Sequence, residues 1–231
     1  MSKQNKVILI IAVALILFAI GLIFLIKIEK KVPVESFNNS INSVESVHLV
    51  KVINEVDYVI GDSKAPVQII IYSSFACPFS AKFSETMKKI EQEFKDKVII
   101  SFRHYPLLNH SQAEPAAEAS ECAAEQGKFW EMHGKLFADN IANNMSVDQY
   151  KQDALDLGLN QEQFNQCLDN NKYADKINQQ KTDGDIAGVT GTPTVFVNGN
   201  IYPGAYPFED FTGPDGRQEK GMNNIISGLL K

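Results

Sequence analysis

The residues best suited to chemistry form the short motif Cys77-Pro78-Phe79-Ser80. The motif follows residues 67–72, a β-branched and almost continuously apolar run that predicts a strand buried on both faces. A cysteine between such a strand and a helix lies at the positive end of the helix dipole, where the thiolate is favoured and acts as a nucleophile. An isolated cysteine is more often a small buried apolar residue, but the strand-Cys-Pro-x-x-helix pattern is much narrower. We therefore interpret Cys77 as a reactive thiol.

The other residues of the motif fit this interpretation. Pro78 would occupy the first helical turn, where no amide donor is required. Ser80 follows one turn later, and its hydroxyl can donate a hydrogen bond to the Cys77 thiolate.

The chain has three cysteines, so at least one thiol has no partner within the chain. Cys122 lies among alanines that allow another helix to approach closely, and Cys167 lies on a second predicted helix. A disulfide needs two Cα atoms separated by about 4.4–6.8 Å, which a contact between small-residue helices permits. The residues leave three possibilities open: a disulfide between these two cysteines, two buried free thiols, or a resolving thiol for Cys77.

The elements around the motif predict a strand–helix–strand unit. Apolar residues at helical spacing follow the reactive cysteine and predict one buried stripe: Phe79, Phe83, Met87, Ile90 and Phe94. Residues 98–102 predict the next strand. A crossover of this kind requires a parallel pair of strands, and hence an α/β fold with a parallel sheet core.

The second half of the chain predicts helices followed by a return to strand. Residues 112–188 contain no strand-like run, and their helices include two with N-cap signals, at Ser146 and Asn160. Strands resume at residues 194–197, which precede the hairpin signal Asn198-Gly199. The remaining residues predict a loop at 212–221 and a closing amphipathic helix at 222–230.

Residues 1–31 predict a membrane anchor with its span at 7–26. The span has twenty consecutive residues without a charged or strongly polar side chain, enough helix to cross about 30 Å of hydrocarbon. Lysines follow it instead of a small-residue cleavage site, which favours an uncleaved anchor over a signal peptide or a core helix. Lysines lie on both sides, so charge alone does not fix the orientation. Residues 32–46 predict a polar stalk, and residues 47–231 predict the folded domain.

The charge distribution argues against several classes of partner. The net charge is −6, but residues 1–31 hold five lysines and one acid, so the other 200 residues carry −10. An acidic body disfavours nucleic-acid binding and also a domain that lies flat on anionic lipid. The four histidines have no metal-ligand spacing, and no glycine-rich phosphate loop is present. We expect no metal and no cofactor.

Several motifs, taken in order, resemble the bacterial DsbA-like branch of the thioredoxin superfamily. They are residues 65–83, Arg103-His104-Tyr105-Pro106-Leu107, Glu121-Cys122-Ala123, Gly127-Lys128-Phe129-Trp130 and Val189-Thr190-Gly191-Thr192-Pro193-Thr194. The resemblance covers about residues 56–231. It implies a thioredoxin fold with a helical domain inserted at about 112–188. It also implies a cis peptide between Thr192 and Pro193 beside Cys77, whose backbone pairs with a bound substrate strand.

The resemblance also bears on the other two cysteines. Several DsbA-like proteins carry cysteines at similar places, and these join helices of the insertion, which favours a disulfide between Cys122 and Cys167. A structural disulfide indicates an oxidising compartment, and therefore a domain outside the cytoplasm.

Two departures from the family pattern concern the same half-reaction. Members of the family usually have a second cysteine where this chain has Ser80, and that thiol resolves the mixed disulfide. They also commonly carry a buried acid six residues before the nucleophile, which assists proton transfer, where this chain has Ile71. Both are absent together, which predicts a natural protein that acts through one thiol.

These observations predict a membrane-anchored, extracytoplasmic thiol–disulfide exchange protein that acts through Cys77 on disulfides of unfolded secreted chains. Its chemistry would suit isomerisation or reduction better than net oxidation. Release would need a thiol from the substrate, a small-molecule pool or a membrane redox partner. The alternative is a thioredoxin-fold holdase that binds peptides without turnover.

Overall fold

The computed structural model describes residues 50–231. The predicted anchor and stalk lie outside the described residues. Within residues 50–231, no helix has the length and apolar character needed to cross a bilayer.

The described chain contains a five-stranded mixed sheet. Its strands are β1 (Tyr58–Gly61), β2 (Val67–Ser73), β3 (Val98–His104), β4 (Thr194–Val197) and β5 (Asn200–Pro203). Their order across the sheet is β1-β3-β2-β4-β5. β2 and β3 are parallel, whereas β1, β4 and β5 pair in antiparallel fashion with their neighbours. Helix α1 (Pro78–Phe94) connects the parallel pair.

Five helices separate β3 from β4, and they form the helical insertion. They are α2 (Ala113–Ala124), α3 (Phe129–Ala142), α4 (Val147–Asp156), α5 (Gln161–Asp169) and α6 (Ala174–Ile186). The N-cap signals act as the sequence predicts, because the side chains of Ser146 and Asn160 accept hydrogen bonds from the backbone N–H groups of Gln149 and Gln163.

The chain ends with α7 (Met222–Leu229), as the sequence predicts. The stretch 212–221 contains more than a loop, because β6 (Phe211–Thr212) and β7 (Gln218–Glu219) pair there as a two-residue antiparallel ladder. The prediction of a plain loop was therefore wrong in detail. The ladder is too short to show a period-two pattern in the sequence.

Buried side chains form separate clusters around the sheet. One cluster lies between the sheet and helices α1 and α7, and includes Ile71, Phe83 and Ile226. A second holds the insertion together around Phe102, Met132 and Phe164. Each helix of the insertion is short and buries only one stripe, so the insertion is stable only as a packed group.

The predicted buried stripe of α1 was wrong at Phe79. The stripe is buried from Phe83 onward, but the Phe79 side chain is 65% exposed. It belongs to the first turn of α1, which begins where β2 leaves the sheet, and the outer side of that turn is not covered by the core. Phe79 is therefore an exposed aromatic side chain two residues from Cys77.

Candidate active site

Cys77 is the N-cap residue of α1. β2 ends at Ser73, and a short turn follows in which the Cys77 N–H donates to the Ser74 carbonyl at 3.0 Å. The Cys77 carbonyl accepts the first hydrogen bond of the helix, from Ala81 N–H at 3.0 Å. Pro78 occupies the first helical position, where its missing N–H costs no hydrogen bond. The Cys77 side chain does not cap the helix, so its sulfur remains available for chemistry.

The sulfur of Cys77 contacts the loop that enters β4. Cys77 Sγ donates to the carbonyl oxygen of Thr192 at 3.2 Å, and the Thr192-Pro193 peptide is cis. The Pro193 carbonyl is already occupied, because it accepts a hydrogen bond from Gly204 N–H at 2.8 Å. In the described part of the chain, no hydrogen bond uses the N–H of Thr192. The loop thus has a backbone donor without a described partner next to the thiol, at a residue that is 9% exposed.

Ser80 does not contact the thiol by a hydrogen bond, contrary to the sequence-based expectation. The Ser80 side chain is 1% exposed, and its Oγ accepts from the backbone N–H of Ser74 at 3.5 Å. Among the described residues, the only hydrogen bond of Cys77 Sγ is to Thr192. The Ser80 hydroxyl thus has a weak contact with the turn after β2.

Ile71 lies in β2 at the position where a proton-transfer acid would stand. It is 2% exposed and pairs in register with Phe102 on one side and Val195 on the other. Its side chain belongs to the apolar cluster beneath α1. The Ile71 side chain therefore stabilises the apolar cluster by packing and cannot donate or accept a proton.

A groove of about 620 Å³ adjoins the start of α1. Pro78 and Ala81 form one wall, and the loop around Phe208 forms the opposite wall. Its lining combines apolar residues with four charged ones, Lys82, Glu85, Lys89 and Glu209, and the exposed Phe79 adds an apolar ring at the start of α1.

The other two cysteines form a disulfide. Cys122 of α2 is bonded to Cys167 of α5 with their Cα atoms 5.8 Å apart, and Cys77 is free. Both bonded residues are buried among the insertion's core side chains. The pair is therefore a cross-link of the insertion, and it is not available to resolve a disulfide at Cys77.

A buried polar network, which the sequence reasoning did not assign, lies near the end of β3. His104 Nε2 and Glu121 Oε1 are 3.0 Å apart, and Tyr58 Oη and Lys176 Nζ donate to Glu121 Oε2 at 2.7 and 2.8 Å. Burial raises the pKa of Glu121, but His104 and Lys176 outweigh that effect, so the net pKa is lowered. The network ties β1, β3, α2 and α6 together. His104 and Glu121 were visible only as parts of the motifs that carry the family resemblance.

No group of side chains in residues 50–231 has the composition and geometry of a metal site. The site is thus a single thiol at a helix N-terminus, opposite a cis-proline loop. Fold and site together define a thioredoxin-fold protein with an inserted helical domain.

Comparison with known proteins supports this definition. A thioredoxin family model matches residues 53–213, and the chain belongs to the thioredoxin family. The structure resembles Wolbachia pipientis alpha-DsbA1, with a TM-score of 0.61 and 24% identity over 80% of this chain and 96% of that chain. It also resembles oxidised BdbD from Bacillus subtilis, with a TM-score of 0.63 and 22% identity over 75% of this chain and 92% of that chain. These similarities show that the fold is shared with DsbA-like proteins.

Among curated proteins, the chain is similar to parts of sodium/proton antiporters. It is 36% identical over 154 residues to NhaA 3 of Salinispora tropica, and 35% identical over 155 residues to NhaA 1 of Mycolicibacterium gilvum. The match covers 66% of this chain in both cases, but only 23% and 25% of those proteins. The chain thus spans about a quarter of the length of these relatives.

Proposed function

We propose that this protein carries out thiol–disulfide exchange through the single thiol of Cys77. The observation that carries the proposal is the placement of Cys77 at the N-cap of α1, with its sulfur 3.2 Å from the Thr192 carbonyl at the cis-proline loop. A helix N-terminus favours the thiolate, which is the nucleophile in disulfide exchange. The family resemblance and the DsbA-like fold point to the same chemistry.

The chemistry begins when the Cys77 thiolate attacks one sulfur of a substrate disulfide. A bond forms between Cys77 and that sulfur, and the other substrate sulfur leaves as a thiolate. The mixed disulfide is then resolved by a thiolate from outside the motif, because Ser80 supplies none and Cys122 and Cys167 are bonded to each other. Attack by another thiol of the substrate returns Cys77 with a rearranged substrate and no net redox change.

This stoichiometry favours isomerisation or reduction over net oxidation. A net oxidant must store a disulfide and pass both electrons of the substrate to it, which requires a second thiol near the first. When a small thiol resolves the mixed disulfide, the thiol supplies the electrons and the substrate is reduced. We therefore place the protein among exchange catalysts that depend on a substrate thiol or a small-molecule thiol.

The substrate would be an unfolded chain that binds in extended form. The free N–H of Thr192 can donate to a carbonyl of such a chain, as an edge residue of a sheet does. The exposed ring of Phe79 and the groove beside Pro78 both offer apolar contact near the start of α1. These features would contact backbone and apolar groups, which any unfolded chain exposes. The proposed substrates are therefore unfolded secreted chains in general, with no particular sequence.

We further propose that residues 7–26 anchor the protein in a membrane with the thioredoxin domain outside the cytoplasm. Support comes from the uncharged run of twenty residues and from the Cys122–Cys167 disulfide, which persists in oxidising compartments. Protease should digest the domain when it is added to cells whose outer membrane or cell wall has been removed and whose inner membrane is intact. If the domain is digested only after the cells are lysed, it lies in the cytoplasm and the proposed orientation is wrong.

A kinetic assay tests the proposed activity. Wild type should speed the refolding of a protein with scrambled disulfides, at a rate that depends on reduced glutathione. Cys77→Ala should be inactive, while Ser227→Ala, which changes a hydroxyl far along the chain on α7, should keep the full rate. Equal rates for wild type and Cys77→Ala would reject the exchange activity.

One observation favours a second candidate, a holdase that binds unfolded chains without turnover. The Cys77 side chain is only 3% exposed, so an incoming sulfur reaches it only after local movement of the loop or the helix start. A holdase should suppress aggregation of a cysteine-free unfolded protein equally well as wild type and as the Cys77→Ala variant. If suppression is seen without any disulfide exchange by wild type, the holdase is the better assignment.

A further inference from the structure

The helical insertion makes one hydrogen bond to the turn that leads into Cys77. The four residues before α1 form a β-turn, which the bond from Cys77 N–H to the Ser74 carbonyl closes at 3.0 Å. The peptide between Phe75 and Ala76 is the central peptide of this turn. Its carbonyl oxygen, on Phe75, accepts a hydrogen bond from Asn140 Nδ2 of α3 at 2.8 Å. A side chain 65 residues further along the chain therefore binds the middle of the turn.

The Phe75 carbonyl depends on this side chain. In the described part of the chain, no other hydrogen bond reaches that oxygen. Phe75 is 1% exposed, so little water is available to replace the amide of Asn140. A buried carbonyl without a partner is costly. Loss of the amide would therefore favour a rotation of the central peptide that brings its oxygen to water.

The Phe75 ring is held by the same helix. It stacks on Phe102 of β3 and also contacts Phe137 of α3, with the ring centroids 5.0 Å apart in both pairs. All three rings belong to the core cluster of the insertion. Asn140 comes three residues after Phe137, so the two side chains share one face of α3. This face of α3 thus contacts both the ring and the carbonyl of Phe75.

The bond from Asn140 also acts on the type of turn. A type II turn needs a positive φ at its third residue, and Ala76 is not among the non-glycine residues of the described chain that have one. Conversion to a type II turn would reverse the central peptide and take the Phe75 carbonyl away from Asn140. The hydrogen bond therefore opposes that conversion.

The turn determines the direction of the sulfur, because Cys77 is its last residue. On the helix side, Cys77 is fixed by the bond from Ala81 N–H to its carbonyl at 3.0 Å. Its sulfur lies 3.2 Å from the Thr192 carbonyl. Attack on a disulfide requires the incoming sulfur to be aligned with the bond that breaks. A small rotation of the turn would move the sulfur out of that alignment.

We propose that Asn140 is a positioning residue for Cys77, whose side-chain amide fixes the central peptide of the turn and thereby the direction of the sulfur. In this way the helical insertion acts on the attack step without touching the reacting atoms. The effect on exchange rests on the proposed function, whereas the effect on the turn does not.

Hydrogen exchange tests the effect on the turn in the full-length protein. No substrate is added, because Asn140 also lines the groove beside Pro78 and could contact a substrate there. Asn140→Leu and Asn140→Asp nearly keep the side-chain volume and remove the donor. Both should speed exchange of the Cys77 amide at least about tenfold, since a buried carbonyl loses its partner. The control Asn160→Ala removes the N-cap bond of α5 to Gln163 N–H, and should leave the Cys77 amide unchanged.

Two reaction rates test the effect on the chemistry, both measured well below the melting temperature. Formation of a mixed disulfide between Cys77 and a disulfide-bearing peptide depends on the direction of the sulfur. Alkylation of Cys77 by iodoacetamide depends mainly on its exposure. The ratio of the first rate to the second should fall at least about tenfold in both Asn140 variants, as expected for a misaligned nucleophile. Asn160→Ala should keep the wild-type ratio, as would any variant that only destabilises the fold.

The outcomes separate the two effects. If the Cys77 amide exchanges at the wild-type rate in both Asn140 variants, or is speeded equally by Asn160→Ala, Asn140 does not hold the turn and the proposal is wrong. Faster amide exchange with an unchanged ratio of reaction rates would overturn the role of Asn140 in the attack step. If wild type forms no mixed disulfide, the proposed function fails, and amide exchange alone decides whether Asn140 holds the turn.

Discussion

In the proposed mechanism, Ser80 and Ile71 limit which steps of thiol–disulfide exchange the protein can perform. Ser80 accepts a hydrogen bond from the turn after β2, and Ile71 packs between β3 and β4. Neither residue can take over a proton or a sulfur bond during resolution. We therefore expect Cys77 to carry out the attack step and an external thiol to carry out the resolving step.

Restoring the second thiol should restore only slow dithiol chemistry. In Ser80→Cys, the new cysteine lies one helical turn from Cys77, so a disulfide between them can form and act as an oxidant of peptides. Without an acid beneath the site, the proton transfer remains uncatalysed. Adding Ile71→Glu should raise the oxidation rate about a hundredfold, the lower end of the range expected for a positioned acid or base.

The matched control for this experiment is Ser80→Cys with Ile71→Gln. Glutamate and glutamine at a position that is 2% exposed both disturb the apolar cluster, and both should lower the melting temperature. Only glutamate can carry a proton. Equal rates for the Glu and Gln variants would show that an acid at position 71 has no role in resolution.

At the scale of elements, the disulfide connects two helices that are distant in the chain. Cys122 and Cys167 are 45 residues apart, and the bond closes most of the insertion into a loop. The chain-entropy model gives about 4 kcal/mol of stabilisation for a loop of that length. The bond should therefore be a main source of the insertion's stability.

Cys122→Ala with Cys167→Ala should lose a few kcal/mol of unfolding free energy, whereas Cys77→Ala should change it little. Denaturant melts without reductant measure both, and thiol counting on unfolded wild type should find one free thiol. Three free thiols in protein purified from an oxidising compartment would contradict the disulfide.

A buried pair of carboxyl groups connects α3 and α4. Asp139 is 8% exposed and Asp153 is 1% exposed, and the Oδ2 atoms of both lack partners in the described part of the chain. Burial, together with the neighbouring carboxylate of Asp153, raises the pKa of Asp139 from 3.8 to about 7. Lys135 Nζ and Gln149 Nε2 lie 3.4 and 3.1 Å from Asp153 Oδ1.

This pair predicts a pH dependence of stability. The folded pKa of Asp139 is raised, so its favourable contribution is complete below about pH 4 and is lost as the pH rises through about 7. Stability should fall by about 2 kcal/mol between pH 5 and pH 8, because partial exposure to water reduces the full linkage effect. Asp139→Asn should flatten this slope, whereas Asp148→Asn, an exposed acid on α4, should not. If the unfolding free energy of wild type and of Asp139→Asn changes with pH to the same extent, the carboxyl pair is not the cause of the pH dependence.

The elements differ in how well the sequence predicts them. β2, α1, β3 and α7 are long or strongly periodic, whereas β4 is a short, fully buried run that the hairpin signal Asn198-Gly199 marks; the structure confirms all five. β1 was not predicted, since it has four residues and only partial burial. It pairs with β3 through Gly61, whose missing side chain avoids the Val98 carbonyl, because a Cβ there would be only 2.1 Å away. A contact of that kind depends on tertiary structure and leaves no local pattern.

The features of the candidate site also differ in how well the sequence predicts them. The position of Cys77 at a helix start follows from adjacent strand and helix patterns, which are local. The direction of the Ser80 hydroxyl, the exposure of Phe79 and the pairing of His104 with Glu121 depend on how separate elements pack. The burial of Cys77 itself was also not visible in the sequence, because the Thr192 loop that covers it is 115 residues away.

At the scale of the whole molecule, the thioredoxin fold brings together residues that are far apart in the chain. The C-terminal end of β2, the start of α1 and the cis-proline loop meet at Cys77, while the insertion extends from the end of β3. The other two cysteines of the chain, Cys122 and Cys167, are bonded to each other within the insertion. In the proposed mechanism the molecule therefore has one reactive thiol, and a mixed disulfide at Cys77 would have no second free cysteine in the chain to resolve it.

Isolation of mixed disulfides from wild-type protein tests covalent exchange through Cys77 most directly. Wild type recovered from secreting cells with thiols blocked should carry other proteins bonded to Cys77, seen as higher-mass bands without reductant. The bands should disappear with dithiothreitol and be absent from Cys77→Ala, because only an external thiolate can release the adduct. Mass spectrometry should place the bond at Cys77. Identical non-reduced patterns for wild type and Cys77→Ala would contradict covalent exchange through this thiol.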